Sequence, residues 1–492
     1  MIFALTMLAA AIGYGFRVFL SRSLSIDDYG LFYSVVALVA TLGVFRELGL
    51  ATSLVKHMAE LKARSDYAGI KSATIMVFAL QMLLTLVLFV PAAFFADALA
   101  ESYFGTPAAS AVLLLILAEG VINMGLYSAV FQGMQKFNIF AFVELVRVSL
   151  VFLFSYFLAH NGAAGIAAAQ LLSTVVMNVI FVGIALRTMP FFARARFTFN
   201  RELFSRILKF GGTLWLGNVI VMAVSRMDVL ILTYFRPLSE VALYNASLPT
   251  AMLLMTFASA LNNTLFPTIS ELWARKETAA VSRGMTSVIR LFFIIMTPFA
   301  LLLVFYSDAI LSTLFGSRFA PATFSLQILA IATLFYAISQ IFFGVINGMG
   351  RPDVNAKIYT AAAISVLAMD VALVPLYGVD GASAATAFSY IGMFLPALLF
   401  LRGKITVKMS WSDVSKITMS ALLAWLAMVI SGSAFGGSLF AMAAGMLISL
   451  SIYAFAILVL KAIKKADLEI ITAAGMPIPK AVLRRMERFV SE

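Results

Sequence analysis

Ten charged side chains stand inside apolar runs, where hydrocarbon is the expected neighbour. Arg46, Glu47, Glu144, Arg147 and Arg290 lie toward one end of those runs. Arg17, Arg226, Asp228 and Asp370 lie toward the other, and Glu119 falls near the middle. A charge at the centre of a membrane helix costs roughly 2.5–3.5 kcal/mol on insertion scales. Each must therefore pair, reach the interface or line a wet cavity. Glu144 and Arg147, spaced i, i+3, can neutralise one another. Arg290 and Arg17 fall within a turn or two of a span end and can snorkel. Arg46, Glu47, Glu119, Arg226, Asp228 and Asp370 are harder to dismiss.

Arginine points to the chemistry. A guanidinium stays charged and presents a planar fork that suits phosphate, whereas a cation exporter would favour carboxylates alone. Arg17, Arg46, Arg147, Arg226 and Arg290 are therefore candidate ligands for an anionic head group. Glu47, Glu119, Glu144, Asp228 and Asp370 are candidates for counter-ions or for H+ or Na+ coupling. The five acids balance the five arginines. Cysteine is absent, which excludes disulfides, thiolate metal sites and cysteine nucleophiles. Both histidines, His57 and His160, fall in predicted loops. No phosphate-binding loop of the Gly-x-x-x-x-Gly-Lys kind occurs. No catalytic group, metal or cofactor is expected.

The elements that must hold these charges are membrane helices. Apolar residues make up 62% of the 492-residue chain and charged residues 12%, with a mean hydropathy of +1.01; soluble domains carry about 25% charged residues. Fourteen spans are expected, near 2–21, 30–54, 72–96, 108–131, 138–159, 163–186, 210–234, 242–269, 286–306, 322–345, 355–375, 381–401, 414–431 and 437–460. With the N-terminus cytoplasmic, only Arg22, Arg236 and Arg318 among the basic residues outside the spans face outward. The outward loops instead carry Asp27, Asp28, Asp97, Glu101, Glu240, Asp308 and Asp380. That is the positive-inside asymmetry. The net charge of +12 is thus a topology signal, and nucleic acid is not an expected partner. The first span starts almost at Met1 without a basic lead. It reads as a permanent helix rather than a cleaved signal, and the missing lead would fit a natural start upstream.

Three motifs recur in order. Arg22-Ser23-Leu24-Ser25 returns as Arg236-Pro237-Leu238-Ser239, and Gly133-Met134-Gln135-Lys136 as Gly348-Met349-Gly350-Arg351. Gly162-x-x-Gly165-x-x-Ala168-Ala169 returns as Gly378-x-x-Gly381-x-x-Ala384-Ala385. The offsets are 214, 215 and 216. An even number of spans separates the copies, so the halves are expected to be parallel repeats about a pseudo-two-fold axis along the membrane normal. The expected fold is an all-α membrane protein of two six-helix bundles, 1–199 and 200–404. Two additional helices follow at 405–460, then a cytoplasmic amphipathic tail at 461–492. Residues 200–209, with Leu203, Phe204, Ile207 and Leu208 at helical spacing, read as a separate amphipathic helix on the cytoplasmic surface. The charged pairs Arg46/Glu47, Glu144/Arg147 and Arg226/Asp228 have no charged twin in the other half. The duplicated motifs therefore read as scaffold and the unduplicated charges as the place for substrate.

Longer stretches carry a family resemblance. Ser21-Arg22-Ser23-Leu24-Ser25-Ile26-Asp27-Asp28-Tyr29-Gly30-Leu31-Phe32 is similar to a signature of polysaccharide flippases of the Wzx type. So are Glu47-Leu48-Gly49-Leu50, Arg226-x-Asp228-x-Leu230 and Leu265-Phe266-Pro267. Further along, Leu314-Phe315-Gly316-Ser317-Arg318-Phe319-Ala320-Pro321-Ala322, Asn347-Gly348-x-Gly350-Arg351 and Val374-Pro375-x-Tyr377-Gly378-Val379-x-Gly381-Ala382 continue it in order. Ser25, where the family usually has glycine, and the missing basic lead are departures. The resemblance implies the multidrug/oligosaccharidyl-lipid/polysaccharide exporter superfamily. It also implies flipping of a polyprenyl-pyrophosphate-linked oligosaccharide from the cytoplasmic to the outer leaflet by alternating access, as across bacteria and archaea, in the cell inner (plasma) membrane with both termini cytoplasmic. Membrane lipids and a polysaccharide polymerase or glycosyltransferase machinery are the implied partners. The rivals are a lipid II flippase, a cation-coupled multidrug antiporter on the same fold, and a membrane glycan polymerase or ligase. The last usually carries a long outward loop, and the chain has none.

Overall fold

The computed structural model describes residues 2–123, 126–255, 269–406, 410–435, 439–464 and 467. Among these no strand occurs; the fold is all-α. Among the described residues eleven stretches are long and apolar enough to cross a bilayer. Two of them, Phe137–Thr188 and Pro352–Arg402, are 52 and 51 residues long, and each covers two expected spans. Thirteen of the fourteen expected spans are thus accounted for. The other, near 242–269, runs into residues 256–268, outside the described residues. The protein is a multi-pass membrane protein.

Packing divides the chain into two compact units, Met1–Asn245 and Ala246–Glu492. The first holds α1 (Ile2–Ser23), α2 (Ile26–Glu47), α3 (Leu50–Ala63), α4 (Tyr67–Phe94), α5 (Ala96–Ser102) and α6 (Ala108–Ile122). It continues with α7 (Leu126–Gly133), α8 (Phe137–Leu158), α9 (Gly162–Thr188), α10 (Phe191–Arg194), α11 (Arg201–Phe235) and the start of α12 (Leu238–Ala251). The second unit holds α13 (Thr278–Phe305), α14 (Ser307–Leu314), α15 (Thr323–Gly348), α16 (Pro352–Arg402), α17 (Trp411–Phe435) and α18 (Leu439–Val459). The repeat would place α11 with the second half, whereas packing places it with the first.

Polar caps set several starts. Ser25 accepts from the Asp28 amide at 3.0 Å to open α2, and Asn200 accepts from the Leu203 amide at 3.0 Å to open α11. The segment 200–209 is helical, but it is the first part of the 35-residue α11 rather than a separate surface helix. Its apolar face explains the difference: Leu203 and Ile207 enter the same core as Leu50 and Leu54 of α3, and the Ile207 carbonyl accepts from Ser53 Oγ at 2.8 Å. The expected span 30–54 also divides. Leu48 and Gly49 adopt φ values of 43° and 67°, which ends α2 and turns the chain into α3. A Cβ on Gly49 would lie 2.3 Å from the Gly211 carbonyl oxygen, so the turn and α11 cross in near backbone contact. His57 is therefore not in a loop. It sits in α3, 2% exposed, with Nδ1 2.8 Å from the Ser53 carbonyl. His160 lies in a short 3-10 turn, Ala159–Asn161.

Two of the three duplicated motifs keep one conformation in both copies; the first does not, since Ser25 precedes its helix and Ser239 lies inside one. Gly162 and Gly378 have φ of 64° and 57°, turning α8 into α9 and bending α16 into a hairpin. A Cβ on Gly165 would lie 2.0 Å from the Leu158 carbonyl oxygen, and one on Gly381 2.5 Å from that of Leu373. The second glycine of each motif lets the returning helix lie against the carbonyls of the first. Gln135 and Gly350, third in the other motif, both have positive φ, at 57° and 74°. Each is followed by an amide reaching back five residues, from Lys136 to the Phe131 carbonyl at 2.8 Å and from Arg351 to that of Ile346 at 3.1 Å. That is a left-handed helix stop. In the second unit, α17 and α18 pack on α13 through Leu291, Ile294, Ile417, Ala424, Tyr453 and Ile457. Apart from residues 461–464 and 467, the expected tail helix lies outside the described residues.

Candidate functional site

A cavity of about 540 Å3 lies within the first unit, lined by Arg46, Glu47, Glu119, Arg147 and Arg226 together with Asn123, Gln170 and Thr174. Helix α2 supplies one wall from Val36, Val39, Ala40, Gly43, Val44 and Glu47, a stripe at helical spacing. The stripe ends where the Leu48–Gly49 turn stops the helix, so Arg46 sits in the last turn, beside the negative end of the helix dipole. Its Nη1 donates to the Gly120 carbonyl, and its guanidinium lies 5.5 Å from the centre of the Phe89 ring. Arg46 is 8% exposed. Gly120 is required for this: a Cβ there would lie 2.4 Å from Phe89 Cε2.

A second helix end, that of α6, also lines the cavity. α6 ends at Ile122, and Asn123 turns to φ −88° and ψ 91°. Irregular backbone at membrane depth survives only where protein or a wet cavity covers it, and here it lines the cavity. Glu119 Oε1 accepts from Asn123 Nδ2 at 2.8 Å and from Thr174 Oγ1 at 3.0 Å. Tyr127 donates to Asn123 Oδ1 at 3.2 Å. Arg147 and Glu144, one turn apart on α8, form a bidentate pair. Arg226, on α11, is exposed on the cavity wall. Neither Arg226 nor Glu47 makes a hydrogen bond to any described residue. Arg226 thus leaves all five of its N–H donors for a ligand or water.

The other candidates have other surroundings. Arg17 on α1 lies 4.7 Å from the centre of the Tyr33 ring of α2. Asp228 is 2% exposed; it accepts from the Tyr244 hydroxyl and, at 2.8 Å, from the Val229 amide. Asp370 is fully buried in α16 of the second unit. Arg290 belongs to the second unit too and does not snorkel. α13 begins at Thr278, eight residues before the expected span, so Arg290 lies three turns in and is 3% exposed. Nε and Nη2 donate to Asp467 at 2.9 and 2.6 Å, and Nη1 donates to Asp413 at 3.4 Å. Lys464 Nζ also donates to Asp413, at 3.0 Å. The cluster fastens the ends of the added α17–α18 pair to α13.

With that geometry in place, comparison with known proteins identifies the lineage. Residues 1–273 match the family described as "Polysaccharide biosynthesis protein". The chain belongs to the polysaccharide biosynthesis protein family. Residues 214–374 also match the MatE family. An uncharacterized membrane protein of Methanocaldococcus jannaschii, MJ1068, is 31% identical over 412 residues, 80% of this chain and 81% of that one. A Haloferax volcanii relative named "Probable low-salt glycan biosynthesis flippase Agl15" is 22% identical over 82% of this chain and 83% of its own. Among solved structures, "Lipid II flippase MurJ, inward closed conformation" superposes with a TM-score of 0.75 at 14% identity, covering 92% of this chain and 97% of that one. The fold is therefore that of the superfamily implied by the sequence motifs.

In this polysaccharide biosynthesis protein, the sequence flagged every charged group of the cavity but missed the neutral ones that hold them. Gly120, Phe89 and Thr174 carry no sequence signal of their own beyond a position one turn from, or beside, a flagged charge. Asn123 and Gln170 were visible only as two among many ordinary polar residues.

Proposed function

We propose that the protein is a flippase for a polyprenyl-(pyro)phosphate-linked oligosaccharide, moving it from the cytoplasmic to the outer leaflet by alternating access. The observation that carries the reading is Arg226: an intramembrane guanidinium on a cavity wall with no protein hydrogen-bond partner among the described residues. A guanidinium so exposed on a cavity wall is free to fork onto a phosphate oxygen. Arg46 and Arg147 bring two further cations to the same cavity. Asn123, Gln170 and Thr174 offer neutral donors and acceptors for hydroxyl-rich sugar. Glu47 and Glu119 stand where a counter-ion, a proton or Na+ would balance the arginines once the anion leaves.

In this reading no bond is made or broken, and the protein is a secondary transporter rather than an enzyme. The basic side of the bundles faces the cytoplasm with both termini, in the inner or plasma membrane. Glycosyltransferase and polymerase machinery supply and consume the lipid-linked sugar. An inside-negative potential favours outward movement of an uncompensated anion by about 2.3 kcal/mol per charge per 100 mV. The name of the Haloferax volcanii relative agrees with a glycan substrate.

The test is transport by the purified chain in proteoliposomes loaded separately with a fluorescent polyprenyl-diphosphate oligosaccharide and with a cationic dye. Protein-dependent exposure of the lipid-linked sugar, with no dye movement, is expected. Dye movement driven by H+ or Na+, without sugar exposure, would instead establish the multidrug antiporter.

A further inference from the structure

The second unit carries a cavity that the flippase reading does not use. It has a volume of about 670 Å3, and its charged lining consists of Arg283, Arg290, Lys404 and Lys464, with Ser282 and Thr286 among the hydroxyls. No carboxylate lines it among the described residues. Arg283 and Lys404 make no side-chain hydrogen bond to a described residue and are exposed. Arg290 is 3% exposed and forms the floor. The two acids behind that floor, Asp413 and Asp467, are taken up by Arg290 and Lys464. Their two negative charges offset the floor's two positive ones, so Arg283 and Lys404 remain as uncompensated charge.

A topology signal needs basic residues near the membrane surface but not in one concavity. Here they converge from three parts of the chain: the first turns of α13, the segment after α16 and the residue that follows α18 by five positions. The lip is fixed as well, because the Thr406 amide donates to Ser282 Oγ at 3.1 Å. The first turn of α13 also faces the cavity through Thr278 and Ala279, adding the positive end of a helix dipole to the same side. The volume lies within the range of small-ligand sites. The guanidinium of Arg283 and the ammonium of Lys404, neither paired with a described carboxylate and both beside hydroxyls, match a phosphate group.

We infer that this cavity binds a phosphate-bearing anion at the membrane–water boundary, either the head group of an anionic phospholipid or a soluble phosphate compound. The site is independent of the cavity in the first unit and of what that cavity transports.

The full chain, reconstituted in nanodiscs of phosphatidylcholine, is titrated in one arm with phosphatidylglycerol and in the other with inorganic pyrophosphate. Bound molecules are counted by native mass spectrometry and stability is followed by thermal unfolding. Saturable binding in either arm is expected, and the arm that responds identifies the source. R283Q/K404Q removes two exposed, unpartnered charges and should weaken binding at least about tenfold; R283K/K404R should retain most of it. The control R201Q/K209Q removes two cations from α11 and should leave binding unchanged. The inference is overturned if neither probe binds saturably, if R283Q/K404Q binds as the parent does, or if the control loses as much as the pocket variant.

Discussion

Arginines that read alike in the sequence are tied to different things in the fold, and the difference sets what each should cost to remove. Arg290 satisfies two buried carboxylates at once. Removing one partner of such a pair strands the others without compensation, an effect of about 3–5 kcal/mol. Arg226 makes no hydrogen bond to a described residue and is exposed, so its removal should change stability by less than about 0.5 kcal/mol. Thermal unfolding of the purified variants should therefore show a large fall for Arg290→Ala and almost none for Arg226→Gln. Equal falls would contradict the assignment of one to scaffold and the other to substrate. The presence of these charges was legible in the sequence because each interrupts an apolar run. Their partners were not. Asp467 and Asp413 are 177 and 123 residues away from Arg290, and nothing local marks them as its counter-ions. The Gly120 carbonyl that holds Arg46 is a backbone group and has no signature at all.

Among the elements, close crossings are made by glycine and the cavity is bounded by helix ends. Gly165→Ala would press a Cβ to 2.0 Å from the Leu158 carbonyl oxygen. It should destabilise by about 1–3 kcal/mol, as overpacking does. Gly13, in the middle of α1, has nothing within 4 Å of the same added atom, so Gly13→Ala should be neutral or stabilise by up to about 1 kcal/mol. Folded yield and thermal unfolding of the two variants decide this, and a Gly165→Ala chain as stable as the parent would show that the hairpin does not depend on that approach. The hairpins at Gly162 and Gly378 were legible because two glycines three residues apart, repeated at a constant offset, demand a common backbone. The turn at Leu48–Gly49 was not, because the apolar pattern continues through it while the left-handed backbone of the two residues ends the helix. Continuity fails in the other direction at residues 200–209. Their amphipathic face was plain, but fusion with the next span follows from a shared core with α3 that spacing alone does not reveal.

For the whole molecule, a 492-residue chain with 62% apolar residues and no cysteine makes both orientation and transport directly measurable. The charge asymmetry puts Arg64 inside and Ser102 outside. Single cysteines introduced as Arg64→Cys and Ser102→Cys, each on an exposed residue, face no background thiol. A membrane-impermeant maleimide should label the second in intact cells and the first only after permeabilisation; the reverse pattern would invert the topology and the direction of transport with it. The spans among the described residues were legible because hydropathy is a local count. The assignment of α11 to the first compact unit was not, since the sequence repeat groups it with the second half and only packing shows its neighbours.

The central claim is that cations of the first-unit cavity carry the anionic head group across. The most direct measurement is the rate at which proteoliposomes expose a labelled polyprenyl-diphosphate oligosaccharide, compared between the parent chain and Arg46→Gln/Arg226→Gln at equal folded amounts. The account predicts a loss of at least about tenfold for the double variant, the equivalent of one charge-assisted hydrogen bond of about 1.4 kcal/mol. A double variant that flips at the parent's rate would contradict it.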